Sequence, residues 1–592
     1  MSYRTHHCNQ LRASDIGSTV KLSGWVDSPR DHGGVIFIDL RDRMGVTQIV
    51  FRPEEAPEVA AASHALRSED VVQIQGKVEA RLEGTENTKL DTGKIEVVAT
   101  ELVMLSKAEP LPFPIDKEVA NEDLRMQHRY LDLRRPRLHK NLQVRHQVTQ
   151  AVRKYLGDEG FLEVETPILS KSTPEGARDF LVPSRLMPGR FFALPQAPQQ
   201  YKQLLMVAGL ERYFQIAKCF RDEDLRADRQ PEFSQIDIEA SFVTTEDIYE
   251  LVEGMLAAAF SAGRGVEVPR PFPRLTWHQA MDQYGSDKPD RRYAMEITDV
   301  GEIFAQSSFK VFKAALDAGG VVKAINAKGF AKITTGQIED LTELAKSAGA
   351  KGLAFIKVEN DQWKSPIVKF FSEEEKAALT KTMEIEEGDL ILFGADAWQS
   401  ACEVLGRIRC RVAEILELDT DSKALEFLWV TDFPLLAFSA EEGKWAAVHH
   451  PFTRPHPEDE ENIQPEHAKL GEARALAYDV VLNGVELGGG SIRIHERELQ
   501  QRMFRVLGID DAEQEAQFGH LLKAFSFGAP PHGGVAFGLD RLVMLICEEP
   551  SIREVMAFPK NNRGADLMSQ SPAEVELRQL RDLGLQIPTK KS

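Results

Sequence analysis

Short apolar segments separated by glycine-containing turns recur through the first part of the chain. Residues 20–26, 35–40, 47–51, 71–78 and 95–99 are rich in β-branched and other apolar side chains. Glycines stand among or beside these segments at positions 33, 34, 45, 76 and 93. Five short strands within about 100 residues are typical of a small closed barrel. The pattern predicts an OB-fold barrel over residues 1–107, with either a purely structural or an oligonucleotide-binding role.

Residues 215–242 carry a second pattern, in which two apolar segments flank a dense polar loop. The segment reads QIAKCFRDEDLRADRQPEFSQIDIEASF, and after Pro231 apolar and polar side chains alternate. The apolar set is Ile236, Ile238 and Ala240, and the opposite set is Phe233, Gln235, Asp237 and Glu239. A period of two beside a loop predicts a β-hairpin. Taken alone, the loop is most simply interpreted as part of a charged surface hairpin.

Helical spacing appears beyond the barrel. Apolar residues recur at helical intervals over 142–156, and the following segment FLEVETPIL predicts a strand closed by proline. A helix predicted to begin near residue 538 has its apolar face at Leu542, Leu545 and Ile546, and the C-terminal tail predicts a short amphipathic helix. The predicted organisation is a barrel (1–107), a hinge (108–142), a two-part domain (143–290 and 425–560), an inserted α/β domain (291–424) and a C-terminal extension (561–592).

Composition and charge exclude several classes of protein. The chain has 592 residues, 42% hydrophobic and 28% charged, which is ordinary for a multidomain globular protein. No apolar run approaches the ~20 residues of a membrane span, and the first residues lack the apolar core of a secretory signal. Five scattered cysteines without a CxxC pair predict neither disulfides nor a zinc site, which favours a reduced cytoplasm. The net charge of −20 argues against nonspecific coating of nucleic acid, although a local basic groove is enough for a specific RNA partner.

Three motifs carry a resemblance to a known enzyme family. FRDED followed by RADRQPEF resembles the second signature motif of class II aminoacyl-tRNA synthetases in its aspartyl form. The helix, strand and proline around FLEVETPIL resemble the first motif, which forms the subunit interface in the family and implies a homodimer. PPHGGVAFGLDRLVMLI resembles the third motif, and the inserted segment resembles the extra domain of bacterial-type aspartyl-tRNA synthetases. The resemblance covers nearly the whole chain and implies an antiparallel-sheet catalytic domain over 143–290 and 425–560.

The resemblance implies a site for ATP and Mg²⁺. Arg221, Arg541 and Glu486 are the expected catalytic residues, with Arg221 at the α-phosphate and Arg541 at the γ-phosphate. Asp479 and Glu486 are the expected Mg²⁺ ligands, because hard cations prefer carboxylate oxygens. Phe233 offers a ring face to adenine. The other expected ATP contacts are Asp222, Glu223, Gln230, Gly538, Leu539 and Asp540.

The same resemblance implies a pocket for L-aspartate. Lys202 and Arg493 would hold the side-chain carboxylate of the substrate, while Gln199 and Asp237 would bind its ammonium group. An asparagine amide would leave both cations unpaired, which implies selection for aspartate. The remaining expected contacts are His449, near the aspartate carboxylate, together with Glu175 and Arg221.

The barrel segment GWVDSPRDHGGVIFIDLRDRMGVTQIVF resembles the anticodon-binding domain of the same family. The resemblance implies that Phe37 stacks on an anticodon base, which is worth about 1–3 kcal/mol, and that Arg30 and Gln48 read base edges. His32 and Gly84 resemble the residues of synthetases that charge both tRNA-Asp and tRNA-Asn, whose anticodons differ at one base. The alternative is that these two are ordinary turn residues.

Together the motifs imply an ATP-dependent ligase that joins L-aspartate to tRNA through aspartyl-adenylate. Two alternatives remain open. One is a synthetase restricted to tRNA-Asp, and the other is a catalytically inactive RNA-binding paralogue, against which the intact motif arginines argue. If both tRNAs are charged, a tRNA-dependent amidotransferase is an implied partner, because it would convert the aspartyl-tRNA-Asn. A cytoplasmic location and no membrane partner are expected.

Overall fold

The computed structural model describes residues 3–117, 119, 121–172, 177–225, 228–360, 362–418 and 423–586. The chain divides into two compact units, Met1–His139 and Lys140–Ser592. Each unit has a hydrophobic core of its own. The point of division falls inside the segment that the sequence assigns to a hinge.

A closed five-stranded barrel forms most of the first unit. Its elements are β1 (Thr19–His32), β2 (Val35–Asp42), β3 (Gly45–Phe51), α1 (Pro57–Ser63), β4 (Val71–Ala80) and β5 (Ile95–Ser106). Neighbouring strands follow the order β1-β2-β3-β5-β4, and β1 closes the barrel by pairing with both β2 and β4. Two short helices, α2 (Glu122–Gln127) and α3 (Arg129–Asp132), come after the barrel. The predicted five-stranded barrel is confirmed.

Strand β2 sends alternate side chains to opposite sides of the barrel wall. Ile36 and Ile38 are buried in the barrel core, whereas Phe37 between them is partly exposed. Strand β1 extends beyond its apolar segment as far as His32, because pairing with β2 continues to the turn at Gly33 and Gly34. Both glycines have positive φ, which a tight turn of this kind requires.

The second unit begins within the long helix α4 (Pro136–Asp158), after which three groups of elements follow. The first group is β6 (Leu162–Glu163), β7 (Leu181–Pro183), β8 (Phe191–Ala193), α5 (Gln199–Val207), β9 (Arg212–Phe220), β10 (Glu232–Ser241), α6 (Thr245–Arg264), β11 (Arg274–Thr276) and α7 (Trp277–Tyr284). The middle group, called the inserted domain below, is β12 (Thr298–Asp299), α8 (Gly301–Phe304), α9 (Lys310–Asp317), β13 (Val321–Ala327), α10 (Thr335–Ser347), β14 (Ala354–Glu359), β15 (Gln362–Lys364), α11 (Glu373–Thr382), β16 (Leu390–Asp396) and α12 (Trp398–Ile415). The last group is β17 (Phe427–Thr431), β18 (Leu436–Ser439), β19 (Lys444–Ala447), β20 (Ala477–Leu482), β21 (Val485–Ile492), α13 (Arg497–Val506), α14 (Asp511–Phe525), β22 (His532–Gly538), α15 (Leu539–Ile546) and α16 (Leu577–Asp582).

An eight-stranded sheet forms the centre of the second unit, in the order β11-β17-β20-β21-β22-β10-β9-β6. Its six inner strands are antiparallel to one another, and the two edge strands pair in parallel. Side chains from α4, α6 and α15 pack on one face of this sheet, among them Val148, Val252 and Leu542. Ile236 and Ile238 of β10 belong to the same core, as the hairpin pattern predicted. The other set of β10 side chains is thereby left on the opposite face.

The inserted domain is a second layered structure. Its five-stranded sheet has the order β12-β13-β16-β14-β15 and is antiparallel at each strand pair. Its apolar side chains form two clusters, one of which includes Leu341 and Leu405 and the other Phe304 and Phe393. Helix α12 contributes Leu405 to the first cluster and therefore packs on this sheet.

Three predicted elements differ in length from the observed ones. Helix α4 begins at Pro136, before the predicted start at Leu142, and its first two turns are mostly polar apart from the buried Leu138. Only Leu162 and Glu163 of FLEVETPIL pair as a strand, alongside β9. The tail helix α16 has six residues and buries none of them, so its amphipathic pattern has no apolar surface to cover. Among the described residues, no helix is long and apolar enough to cross a membrane.

Candidate active site

A cleft of about 600 Å³ lies on the face of the central sheet opposite the helical core. Phe233, Gln235 and Asp237 of β10 line this cleft, at positions that alternate with the core residues Ile236 and Ile238. The sequence predicted that an aromatic ring, an amide and a carboxylate share one face of the hairpin. The structure confirms that placement and puts the three side chains beside one cavity.

Most of the expected site residues line this same cleft. They are Gln199, Lys202, Arg221, Glu223, Gln230, Phe233, Asp237, His449, Asp479, Glu486, Arg493, Gly538, Asp540 and Arg541. Two expected ATP contacts do not line it. Leu539 begins α15 with its side chain in the helical core, and Asp222 Oδ2 lies 3.9 Å from Arg178 Nε. Glu175 falls outside the described residues.

Four charged side chains are buried together at one end of the cleft. Lys202 Nζ lies 2.7 Å from Asp237 Oδ1 and 3.2 Å from Glu239 Oε2. Arg493 donates from Nε and Nη2 to the two carboxylate oxygens of Glu239, at 2.9 and 3.2 Å. Each of the four side chains is at most 2% exposed. The expectation that an amide ligand would leave both cations unpaired is therefore wrong, because each cation already has a carboxylate partner.

Burial and pairing set the charges in this cluster. Burial opposes ionisation of Glu239, but Arg493 and Lys202 outweigh burial and lower the pKa of Glu239 to about 2. Burial of Asp237 raises the pKa of that carboxyl in spite of the attraction of Lys202. Burial disfavours the Arg493 cation, yet Glu239 raises the pKa of Arg493 above its ordinary value. Glu239 is thus the firmly ionised anion that holds both cations.

The cluster keeps unused hydrogen-bonding groups. Arg493 Nη1 donates to Ser491 Oγ at 2.7 Å and to the ring of His450, and Nε and Nη2 each donate once to Glu239. A lysine has three N–H donors and an arginine has five, so Lys202 and Arg493 each retain one. Asp237 Oδ2 is buried, and no hydrogen-bond partner for it occurs in the described part of the chain. A ligand that carries both a carboxylate and an ammonium group would satisfy all three.

Two histidines border the cluster as neutral rings. Burial and then the charge of Arg493 lower the pKa of His449 to about 4, and they lower the pKa of His450 well below its usual value. His450 accepts a hydrogen bond from Arg493, which a doubly protonated ring cannot do. The His449 ring meets Phe433 edge-on, with ring centroids 4.6 Å apart. Its Nε2 is buried and has no hydrogen-bond partner among the described residues.

The opposite end of the cleft is arranged for an anion. The Arg221 guanidinium lies 5.2 Å over the ring of Phe233, and its buried Nε has no hydrogen-bond partner within the described segments. Arg541, in the first turn of α15, donates from Nη1 to the carbonyl of Glu486 at 2.8 Å and lies 3.4 Å from Asp228. Guanidinium groups with donors to spare suit phosphate oxygens. This end therefore fits a polyphosphate.

Carboxylates beside the arginines fit a divalent cation. Asp479, Glu486 and Asp287 line this end of the cleft. Asp479 is 8% exposed, and the described residues give it neither a hydrogen bond nor an ion pair. Burial, and then the charges of Glu486 and Asp287, raise the pKa of Asp479 well above its ordinary value, a repulsion that a cation would relieve. Mg²⁺ keeps several waters and binds substrate phosphates, so two carboxylates beside a polyphosphate site suit this ion.

Two further expected ATP contacts, Gln230 and Asp540, form hydrogen bonds within the protein. Gln230 is buried, with Nε2 donating to the carbonyl of Lys560 at 3.0 Å and Oε1 accepting from the Lys560 amide at 2.7 Å. Asp540 accepts from the Ser234 amide at 2.8 Å and pairs with Arg145 at 2.7 Å. These side chains stabilise the walls of the cleft. Both residues also line the cleft, so their contact with ATP stays a prediction.

The residues expected to meet an anticodon share the outer face of the barrel. Arg30 lies opposite Phe37 on neighbouring strands, and Gln48 lies opposite Asp39. Arg30 forms a two-pronged pair with Asp39, at 2.8 and 2.9 Å. The ring of His32 meets Phe37 edge-on, with ring centroids 5.6 Å apart. The position expected to set tRNA choice therefore contacts the position expected to stack on a base.

Gly84 lies in the loop between β4 and β5. A β-carbon at Gly84 would meet no atom within 4 Å, although its φ of +80° favours glycine. Gln48 donates to Glu96 Oε2 at 2.9 Å, so its amide has a protein partner on this face. The roles of these residues in reading an anticodon stay predictions.

Comparison with known proteins decides the family. A model described as tRNA synthetases class II (D, K and N) matches residues 121–562. The chain belongs to this family. A second model, described as an OB-fold nucleic acid binding domain, matches residues 20–105 of this class II tRNA synthetase. The predicted fold class, an OB-fold barrel with a class II catalytic domain, is confirmed.

Full-length relatives of this class II tRNA synthetase carry one name. A protein of Methylacidiphilum infernorum named Aspartate--tRNA(Asp/Asn) ligase is 57% identical, over 99% of this chain and 97% of the relative. A protein of Opitutus terrae with the same name is 55% identical, over 99% of this chain and 99% of the relative. Another from Bacillus cereus is 52% identical, over the full length of both chains.

Solved structures support the fold. Asparaginyl-tRNA synthetase from Pyrococcus horikoshii complexed with asparaginyl-adenylate superposes with a TM-score of 0.58 at 19% identity, covering 94% of this chain and 97% of its own. Aspartyl tRNA synthetase from Entamoeba histolytica gives a TM-score of 0.56 at 18% identity, over 93% and 90% of the two chains.

Sequence reasoning assigned no role to Glu239 or Asp287 and no specific contact to His450. Glu239 stands two positions after Asp237 on the same strand, and this period of two is the signal that could have identified it. His450 adjoins His449 in sequence, but only the fold brings it to Arg493. Asp287 lies in an irregular loop, where no periodicity indicates which side chain faces a cavity.

The low pKa of His449 predicts a pH-dependent contribution to stability. An unfolded histidine binds a proton near pH 6.5, whereas folded His449 resists protonation until about pH 4. Its stabilising contribution is therefore complete above pH ~6.5 and declines as the pH falls toward 4. Between pH 7.5 and 5.5 the His449→Asn variant should lose about 1 kcal/mol less stability than the parent, measured as the shift in Tm. His64→Asn, at an exposed histidine, should keep the parent's pH dependence, and an unchanged slope in His449→Asn would contradict the assignment.

Proposed function

We propose that this synthetase attaches L-aspartate to tRNA through aspartyl-adenylate, and that it does so in the cytoplasm. The observation that carries the proposal is the buried cluster at one end of the cleft, where Lys202 and Arg493 each keep one donor and Asp237 keeps one unpaired oxygen. The arginine-rich opposite end and the name shared by relatives 50–57% identical support the same reaction.

The first step forms the adenylate. An oxygen of the amino acid's α-carboxylate attacks the α-phosphorus of ATP, and the bond from that phosphorus to pyrophosphate breaks. The unpaired Nε–H of Arg221 is placed to donate to an α-phosphate oxygen, and Arg541 to hold the departing pyrophosphate. Asp479 and Glu486 would hold Mg²⁺, which neutralises phosphate charge when bound. Catalysis then rests on positioning and charge neutralisation.

The second step transfers the amino acid. The 3′-hydroxyl of the terminal tRNA ribose attacks the carbonyl carbon of the adenylate, the bond from that carbon to the phosphate oxygen breaks, and AMP leaves as the hydroxyl proton is released. No side chain is required as a general base, because the adenylate has a good leaving group. The cluster that binds the aspartyl group holds the carbonyl in place through both steps.

Selection of aspartate follows from the unused donors. A substrate carboxylate would accept the remaining N–H groups of Lys202 and Arg493, whereas the NH₂ of asparagine would direct further donors at them. Glu239 fixes both cations, so they cannot reorient toward an amide oxygen without breaking a buried ion pair. Leaving buried polar groups unmatched is the strongest form of rejection that a binding pocket offers.

We also propose that both tRNA-Asp and tRNA-Asn are substrates. The contact of His32 with Phe37 and the open surroundings of Gly84 support a loosely read anticodon position, as does the name of the relatives. A tRNA-dependent amidotransferase is then a required partner, because aspartyl-tRNA-Asn has to be converted before it is used.

We propose a homodimer, supported by apolar side chains left on the surface near the first class motif. Leu162, Ile168, Leu169 and Leu181 are each about half exposed, which is unusual for a cluster of large apolar residues. Light scattering should give twice the chain mass of 66.3 kDa. Leu169→Arg should shift the protein toward the monomer, whereas Leu577→Arg, on the exposed tail helix, should not. A monomeric parent protein would refute the proposal.

Aspartylation of unmodified tRNA-Asp and tRNA-Asn transcripts, side by side, tests the proposed function. We expect comparable kcat/KM on the two, because the anticodon loop reads their single differing base loosely. Charging of tRNA-Asp alone would support the aspartylation activity but refute the dual specificity. Charging of neither, with intact RNA binding, would favour the inactive paralogue.

Changing the two barrel positions should restore discrimination. His32→Leu combined with Gly84→Lys is expected to lower kcat/KM for tRNA-Asn by about tenfold, or about 1.4 kcal/mol, and to leave tRNA-Asp largely unaffected. Gly84→Ala is the matched control, because it carries the same backbone strain at φ +80° without adding a charge. An equal loss of kcat/KM on both tRNAs would mean that the two positions stabilise the barrel rather than determine which tRNA is charged.

A further inference from the structure

One segment of the cleft wall is held by the inserted domain. Trp277, the first residue of α7, and Asp287, three residues after its last, both line the cleft. Asp287 lines the same cleft as Asp479, and its charge is one of the causes that raise the pKa of the Asp479 carboxyl. Nothing in the proposed reaction assigns a role to the inserted domain, yet each of these two residues belongs to a segment that contacts it.

The segment around α7 meets the inserted domain in a close backbone contact between two glycines. Gly285 ends α7 with a φ of +65°, and Gly406 lies inside α12 of the inserted domain. A β-carbon on Gly406 would lie 2.4 Å from the carbonyl oxygen of Gly285, and one on Gly285 would lie 2.0 Å from the carbonyl oxygen of Cys402. Neither position has room for a side chain, so the backbone of α12 directly supports the start of the loop over 285–290.

The end of the same loop is held by Arg409, one turn further along α12. Arg409 is 1% exposed, and its guanidinium donates to the carbonyls of Asp290 and Tyr293 at 2.8 Å and of Met295 at 3.1 Å. It also lies 5.0 Å over the ring of Tyr284. A buried cation is costly unless its donors are satisfied, so this arginine stabilises one specific path of the backbone that follows Asp287.

Helix α7 itself is fixed to the inserted domain at a third point. Asp282 Oδ1 accepts from Lys323 Nζ at 2.6 Å and from Trp398 Nε1 at 2.8 Å. The ring of Trp398 also lies 5.8 Å from that of Trp277, which lines the cleft. The inserted domain therefore contacts α7 and both ends of the following loop.

We propose that helix α12 of the inserted domain, through Gly406 and Arg409, positions the loop over 285–290 so that Asp287 adds a third negative charge to the cation end of the cleft. The inference rests on the proposed function, in which Asp479 and Glu486 hold the cation that accompanies ATP. Asp287 acts on the bound cation from the cleft wall, directly or through its water shell. Gly406 and Arg409 act through Asp287 and are positioning residues.

Binding of Mn²⁺, a paramagnetic substitute for Mg²⁺, to the full-length protein with a non-hydrolysable ATP analogue tests this directly. Asp287→Asn should weaken Mn²⁺ binding about tenfold, as loss of a supporting ligand commonly does. Gly406→Ala favours the helix but displaces the loop, and it should weaken binding to a similar degree. Two controls match these changes: Asp340→Asn removes an exposed charge of the inserted domain, and Gly336→Ala fills open space in α10. Both should bind Mn²⁺ like the parent.

The double variant separates positioning from a general loss of structure. If Gly406 acts through Asp287, then Gly406→Ala combined with Asp287→Asn should bind Mn²⁺ no more weakly than Asp287→Asn alone. Arg409→Lys keeps the charge and should lie between the parent and Gly406→Ala. Parent-like Mn²⁺ affinity in Asp287→Asn would overturn the inference, and so would losses that simply add.

Aspartate-dependent ATP–pyrophosphate exchange on the same proteins separates this inference from the proposed function. We expect Asp287→Asn and Gly406→Ala to need about tenfold more Mg²⁺ for half-maximal exchange, with kcat at saturating Mg²⁺ changed far less. A parent protein without exchange would refute the proposed function, whatever the Mn²⁺ result. A parent with exchange and variants with an unchanged Mg²⁺ requirement would refute the inference alone.

Discussion

The buried pairing of Arg493 with Glu239, extended through Lys202 to Asp237, is the constraint on which the rest of the catalytic unit depends. The four groups come from α5, β10 and the end of β21, so they meet only when the central sheet is complete. Their charges balance, and removal of any one leaves an uncompensated buried charge, which commonly costs about 3–5 kcal/mol. The cluster therefore ties the site to the integrity of the fold.

The neighbouring backbone makes room for this cluster. A β-carbon at Gly534 of β22 would lie 2.0 Å from Glu239 Oε2, and Gly490 of β21 faces the backbone of β22 equally closely. These glycines are needed where the sheet carries large charged side chains on its cleft face. On the other face, the apolar alternates of β10 pack against α15, the helix that carries Arg541. One strand thus links the helical core, the amino-acid end of the cleft and the phosphate end.

Residue patterns were sufficient for elements with clear periodicity. The five barrel strands, the hairpin of β9 and β10, and the apolar face of α15 were all predictable, because each buries one side of a regular element. The residue patterns could not show which groups each polar side chain would hydrogen-bond. Gln230 and Asp540 have the chemistry of ligand contacts, and only the fold shows that they also hydrogen-bond Lys560 and Ser234, far away in sequence. Arg409 carries no motif, and only the fold shows that its donors hold the carbonyls beside the cleft.

The central claim is that the cleft activates aspartate, and that a carboxylate is recognised by cations already paired with Glu239 and Asp237. ATP–pyrophosphate exchange measured with L-aspartate and with L-asparagine as the only amino acid tests this most directly. We expect exchange with aspartate and a kcat/KM for asparagine at least about a hundredfold lower, because the amide leaves buried polar groups unmatched. Comparable exchange with both amino acids would contradict the role assigned to the paired cations. Exchange with neither would contradict the activity itself.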